Sequence, residues 1–258
     1  MKGLLICPAL LAFPLMFGLA SGTQTVNGAE KMAPLQIDLP KPSFGGSPVD
    51  YWSDNMEQED FRDRPPLMAP KGTKVVSLYR PVSSSATVPL YGDLKMIVDG
   101  DKNYYKGCVV ELPEGLHWVQ IDLQAPREIY AILIWHYFAE KRVYFDVIVQ
   151  VSDDPDFKTG VTTLYSNDAD NTSKLGAGED KEYLENNKGR LVNAKGVTAR
   201  YVRSYSNGNS FDKKNHYIEM EVFGRPIPAN TPAQSLNETE KEEEKEPLRI
   251  DLPMPGFG

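Results

Sequence analysis

Cysteine is almost absent: the 258 residues hold two, Cys7 and Cys108. Cys7 lies inside an N-terminal apolar run that is expected to be removed, so an intramolecular disulfide framework is excluded. Any folded domain must then be held by its core alone. Cys108 reads as a small buried apolar residue rather than a reactive thiol. Histidine is scarce too, at three residues. There is no Gly-x-Ser-x-Gly elbow, His-Glu-x-x-His pair, phosphate loop or dinucleotide fingerprint, and the chain is expected not to be an enzyme. The many acids leave open only a carboxylate pair of the glycosidase kind. Positive charge is in deficit, at a net −8. The excess acids sit in 47–70 and 226–258, while 71–225 is nearly neutral. With no basic stripe to neutralise phosphates, nucleic acid is excluded as a partner.

Long apolar runs are missing as well. The one candidate, Leu4–Leu19, is broken by Pro8 and Pro14 and falls short of the ~20 residues that cross a bilayer. Preceded by Lys2 and followed by Ala20, Ser21 and Gly22, it reads as a signal peptide over 1–22. The expected location is secreted, periplasmic or cell surface, with no membrane span after cleavage. A disulfide-free exported domain of this size points to a bacterial source.

Residues 23–70 are rich in Pro, Gly, Ser and acids and read as an extended acidic arm. From Lys71 the pattern changes to short β-branched and aromatic runs between Gly, Pro, Asn and Asp clusters. Strands are expected at 75–79, 109–112, 118–123, 129–135, 143–151, 161–165, 199–205 and 217–223, with no helix of useful length. This is an all-β pattern, an antiparallel β-sandwich or barrel over 71–225. Val119, Ile121 and Leu123 alternate with polar neighbours, as sandwich core faces do. Trp118 is expected to anchor the core. Asp122 is expected to pair with Arg200 or Arg203, because a charge on a half-buried strand needs a partner. After Arg225 an acidic linker, ending its charge run in "NETEKEEEKE", leads to the C-terminus.

The chain repeats one segment. "PLQIDLPKPSFG" (34–45) and "PLRIDLPMPGFG" (247–258) agree at nine of twelve positions. Leu35, Ile37 and Leu39, like Leu248, Ile250 and Leu252, alternate with polar residues, and each copy ends in Phe-Gly, at Phe44 and Phe257. The two arms either pack on their own domain or dock on a partner protein or sister subunit by strand addition.

The order of motifs across 71–225 resembles the discoidin domain, the galactose-binding-like F5/F8 type C fold shared with bacterial carbohydrate-binding modules. The resembling pieces are "KVVSLYRPVSSS", "GDLKMIVDGD", "HWVQIDLQAPREIYAILI", "FDVIVQVSDDPDF", "ARYVRSYSNGN" and "YIEMEVFG", in family order. The resemblance implies a jelly-roll sandwich and a carbohydrate or surface glycan as partner. It also implies a structural Ca²⁺ held by Asp99, the carbonyls of Met96 and Asp101, and Glu219. Read from the residues alone, Asp99, Asp101 and Asn103 offer oxygen at alternate positions, as a calcium loop or as an Asx turn capped by its own side chains. The loop with Asp168, Asp170 and Asn171 reads either as a cation site or as a solvated turn.

Sugar-binding relatives present basic and aromatic residues in loops at one end of the sandwich. The matching regions here hold His136, Tyr137, Lys141 and Arg142, then Asn207, Asn209, Phe211 and His216. Planar donors bridge neighbouring hydroxyls, and rings cover the apolar face of a sugar. The leading expectation is an exported, non-catalytic adhesion or carbohydrate-recognition module. The alternative is an assembly protein that works through its two IDLP arms.

Overall fold

The computed structural model describes residues 30–43, 51–60 and 62–228. The expected signal peptide, Phe44 and the C-terminal motif with Leu248, Ile250, Leu252 and Phe257 lie outside the described residues.

Among the described residues ten strands are present: β1 (Met32–Pro34), β2 (Met68–Pro70), β3 (Lys74–Val75), β4 (Val82–Ser84), β5 (Val110–Leu112), β6 (His117–His136), β7 (Ile148–Ser152), β8 (Thr162–Ser166), β9 (Arg190–Ser206) and β10 (Asn215–Pro226). A 3₁₀ turn, Leu94–Val98, is capped by the Asp93 carboxylate, which accepts from the Lys95 N–H at 3.1 Å. Among the described residues, no helix is long and apolar enough to cross a membrane.

Every paired strand is antiparallel to its neighbour. The long strands β6 and β9 run through both layers of a sandwich. Their pairing jumps from Asp122–Tyr201 to Arg127–Ala199, and Gln124 adopts φ +64° there. On one side of this bend the layer order is β4, β6, β9, β7, β8. On the other it is β10, β6, β9, with β3 and β5 flanking β10. The core lies between: Val119, Ile121, Val149, Val151 and Val202 from the first layer face Ile132, Ile134, Val192, Met220 and Val222 from the second. This is an antiparallel β-sandwich.

The second layer is apolar on its outer face too. Ala131, Leu133, Trp135, Ile218 and Phe223 form a second buried cluster, and Leu35, Ile37 and Leu67 pack against it. The arm is thus laid over the sheet and closed by the β1–β2 pair. Farther along, Glu57 N–H donates to the Glu182 carbonyl at 2.8 Å and Arg190 pairs with Glu57 at 2.6 Å.

Several expectations change. Segments 118–123 and 129–135 are one bent strand, and the expected strand over 143–151 is strand only from Ile148. Leu39 does not continue the inward alternation of Leu35 and Ile37 but is 44% exposed. Trp118 is not a core anchor. It precedes the inward Val119, so it points outward, where Arg203 stacks on its ring at 4.1 Å. Asp122 pairs with Arg200, through two contacts of 2.8 Å, and Arg203 turns to Gln120. Cys108 is half-buried, its thiol donating to Asp101 Oδ2 at 3.4 Å. Burial and Asp101 push that thiol's pKa up, opposite to what activates a nucleophile.

Candidate functional site

Two connections meet at one end of the sandwich, 137–147 between β6 and β7 and 207–214 between β9 and β10. Arg142 lies at their meeting point. Its guanidinium is sandwiched between the rings of Tyr137, at 4.8 Å, and Phe211, at 4.6 Å. Nη2 donates to Glu140 at 2.7 Å and Nη1 to Asp212 at 3.0 Å. The Phe211 ring remains 68% exposed. Asn209 builds the turn that presents it. The Asn209 Oδ1 accepts from the Phe211 N–H at 2.8 Å, and Nδ2 donates to Asp212 and to the Lys214 carbonyl. Behind this layer the Tyr144 hydroxyl lies 3.0 Å from His216 Nδ1, and His216 Nε2 faces Glu111 at 3.3 Å. Burial lowers the His216 pKa. Arg142 is itself buried, so it braces the open Phe211 ring and orients the Glu140 and Asp212 carboxylates, and that ring and those carboxylates make a surface that can stack on an apolar face while accepting from hydroxyl groups.

The expected site residues divide accordingly. Tyr137 and Arg142 come together with Phe211. His136 does not join them: it is wholly buried, stacked on Tyr144 at 4.4 Å, with Nδ1 2.7 Å from Glu185. A ring enclosed in this way does not touch a ligand at the surface, which corrects the expectation for it. Asn207 and Asn209 are occupied in holding turns, Asn207 donating to Asp146 at 2.7 Å. His216 is buried beneath the aromatic layer. Lys141 faces the arm, 3.6 Å from Glu59. Glu140 and Asp212 were not singled out from the sequence. Their signal was the spacing, two residues before Arg142 and three after Asn209.

Of the two readings of the 99–103 loop, the Asx turns are present. Asp99 Oδ1 accepts from the Asp101 N–H at 2.8 Å and Asp101 Oδ1 from the Asn103 N–H at 3.0 Å. Beneath them the Glu219 carboxyl is fully buried. Its Oε2 accepts from the Gly100 N–H at 3.1 Å, and its Oε1 has no protein partner. Burial pushes the Glu219 pKa up to about 9, and the charges of Glu221 and Asp99 act in the same direction. An orphaned buried carboxylate oxygen beside Asp99 suits a hard cation. The Asp101 side chain, by contrast, is committed to Asn103 and Cys108.

In the second acidic loop Asp168 and Asp170 are joined by Asp146, with carboxylate oxygens within 4.8 Å of one another. Protein donors already occupy much of this group: Thr172 and Ser173 N–H on Asp168, and Thr172 Oγ1 and Asn207 on Asp146. A cleft of about 590 Å³ lies between arm residues 57–65 and residues 183–191. There Arg190 stacks on Tyr183 at 3.8 Å.

The fold thus defines the class, an antiparallel β-sandwich in which the 137–147 and 207–214 connections meet at one end. Residues 96–204 match a family model of F5/F8 type C, described as a NedA-like galactose-binding domain. The discoidin-type resemblance of the central domain is thereby shown. No curated protein matches the chain. Solved structures similar to it include chitosan-binding module 1 of a chitosanase/glucanase from Paenibacillus sp. IK-5. That module is 18% identical, with 58% of this chain and 99% of the module covered and a TM-score of 0.41. The CBM32 of AlyQ in complex with 4,5-unsaturated mannuronic acid is 20% identical, covering 58% and 95%, with a TM-score of 0.40. A fucose-binding module of Streptococcus pneumoniae is 17% identical, covering 58% and 96%, with a TM-score of 0.39.

Proposed function

We propose that the chain is an exported, non-catalytic protein that binds carbohydrate at the surface formed by Tyr137, Arg142 and Phe211. The observation that carries this reading is the Arg142 guanidinium held between two rings, one of them open to solvent. The match to a galactose-binding domain supports it. The test is binding to a glycan array and to insoluble polysaccharides. Phe211→Ala keeps the fold, because its ring is exposed, and weakens binding about tenfold or more, as loss of a stacking contact would. Unchanged affinity in Phe211→Ala would move the site elsewhere, and no binding to any glycan would sink the reading. Export through the 1–22 leader is tested by the mass of the secreted chain; a full-length product retained in the cell would count against it.

A structural Ca²⁺ at Asp99 and Glu219 belongs to the same proposal. Bound there, the ion would satisfy the orphaned Glu219 oxygen and tie the 99–103 loop to β10. Calcium is expected to raise the melting temperature of the native chain and not that of Glu219→Gln. An equal response in both, or none in the native chain, removes calcium from this site.

A further inference from the structure

The outer face of the second layer is a seat shaped for one segment, and the sequence contains that segment twice. In the structure the seat holds the N-terminal copy. Leu35 and Ile37 rest on the cluster of Leu133, Trp135, Ile218 and Phe223. The polar anchors read backbone. Leu35 N–H donates to the Leu67 carbonyl at 2.8 Å. Lys102 Nζ donates to the Asp38 carbonyl at 2.8 Å while paired with Glu221, and Asn187 Nδ2 donates to the Pro40 carbonyl at 3.0 Å. One anchor uses a side chain of the motif, the Ser43 hydroxyl donating to the Ala139 carbonyl at 2.8 Å.

The copies differ at three positions: Gln36, Lys41 and Ser43 become Arg249, Met254 and Gly256. Gln36 and Lys41 are exposed in the seated copy, whereas Leu35, Ile37 and Pro40 turn toward the protein. All three of these have identical counterparts, Leu248, Ile250 and Pro253. The second copy therefore keeps the contacts that matter and forgoes one hydroxyl.

We propose that the C-terminal copy, Pro247–Gly258, takes this seat in exchange for the N-terminal copy of the same chain. The geometry of the tethers favours exchange within one molecule. Both arms leave from one edge, where Arg225 contacts Glu30. Ile218, on the floor of the seat, stands eight residues back along β10 from Pro226, about 26 Å at ~3.3 Å per residue. The 20 residues between Pro226 and Pro247 would have a root-mean-square reach of roughly 25 Å if they behaved as an unstructured coil. A linker matched to its span gives an effective concentration on the order of millimolar, above that of any second molecule in dilute solution. Exchange would release the N-terminal copy from the sheet while keeping the apolar face covered.

Charged substitutions in each copy of the full chain test this, alone and together. Leu35→Asp with Ile37→Asp should lower the melting temperature by less than about 3 °C, and Leu248→Asp with Ile250→Asp by less still. The four together should lower it by more than about 8 °C, a non-additive loss equivalent to a few kcal/mol. In the N-terminal double variant the amides of 248–252 should gain hydrogen-exchange protection. A full loss of stability from the N-terminal pair alone, or additive losses, would overturn the proposal. So would a concentration-dependent dimer of that variant, since the C-terminal copy would then be seating on a neighbour. The result does not depend on the carbohydrate reading, because it is read from melting and hydrogen exchange and not from sugar binding, although Tyr137 packs on the same outer cluster.

Discussion

His216 shows what burial does to a single residue at the candidate site. Enclosure lowers its pKa, Asp212 opposes that shift, Arg142 reinforces it, and Glu111 opposes it again. Tyr144 completes its surroundings. The folded chain thus holds fewer protons at this site than the unfolded chain does near and below the ordinary histidine value of about 6.5. The stability associated with the neutral ring is present above that value and is lost as pH falls through the folded pKa. His216→Asn should therefore flatten the fall in unfolding free energy between pH 7 and 5, by no more than about 1.4 kcal/mol per pH unit. Urea melts at several pH values measure this, and equal slopes in both proteins would refute it. The reading of single residues from the sequence was uneven for a physical reason. The types at the loop site were visible in "HYFAEKR" and "SNGNSFDKKNH", because basic and aromatic residues stand out between strands. Their depth was not. His136 and Tyr137 are adjacent in sequence, yet one is sealed against Tyr144 and Glu185 while the other stacks at the surface on Arg142. Only the turn of the chain leaving β6 decides that.

At the scale of the element, the decisive feature is the bend in β6. Asp122 does two things there: it pairs with Arg200 across to β9, and its Oδ1 accepts from the Gln124 N–H at 2.7 Å, steadying a residue of positive φ. The pair is partly exposed, so solvent screens it and its own contribution to stability is small. Asp122→Asn should destabilise the chain by about 1 kcal/mol and leave ligand affinity unchanged, as denaturant melts and binding titrations can check. A loss above ~3 kcal/mol would mean that the bend depends on the charge itself. The strands were largely legible because alternation of Val119, Ile121 and Leu123 is a two-residue period that nothing else produces. Their continuity was not, because "QAPRE" between the two runs reads as a turn. Here Pro126 and Arg127 are carried inside a strand that has slipped register rather than ended. The short strands β1, β2 and β4 lack long β-branched runs and exist because of what they pair with.

At the scale of the molecule, the folded unit is larger than the region that matches the family. The run "AILIW" in β6 is apolar on both faces of the sheet: Ile132 and Ile134 point into the sandwich, Ala131, Leu133 and Trp135 away from it. Such a run requires cover on both sides, and the sandwich supplies only one. The arm from residue 30 supplies the other, so residues that read as an acidic extended tail are part of the core's enclosure. Full burial of an aliphatic side chain contributes roughly 1.5–3 kcal/mol. Leu35, Ile37 and Leu67 are half-buried, so the arm should contribute on the order of 2–4 kcal/mol in all. A fragment spanning 71–228 should consequently be less stable than one spanning 30–228 by about that amount. It should also bind a hydrophobic dye that the longer fragment does not, because Leu133, Trp135, Ile218 and Phe223 lose their cover. If the two fragments melt together and neither binds dye, the outer face must be closed by some rearrangement of the domain's own loops. The arm would then be an ornament of the sandwich instead of its third layer.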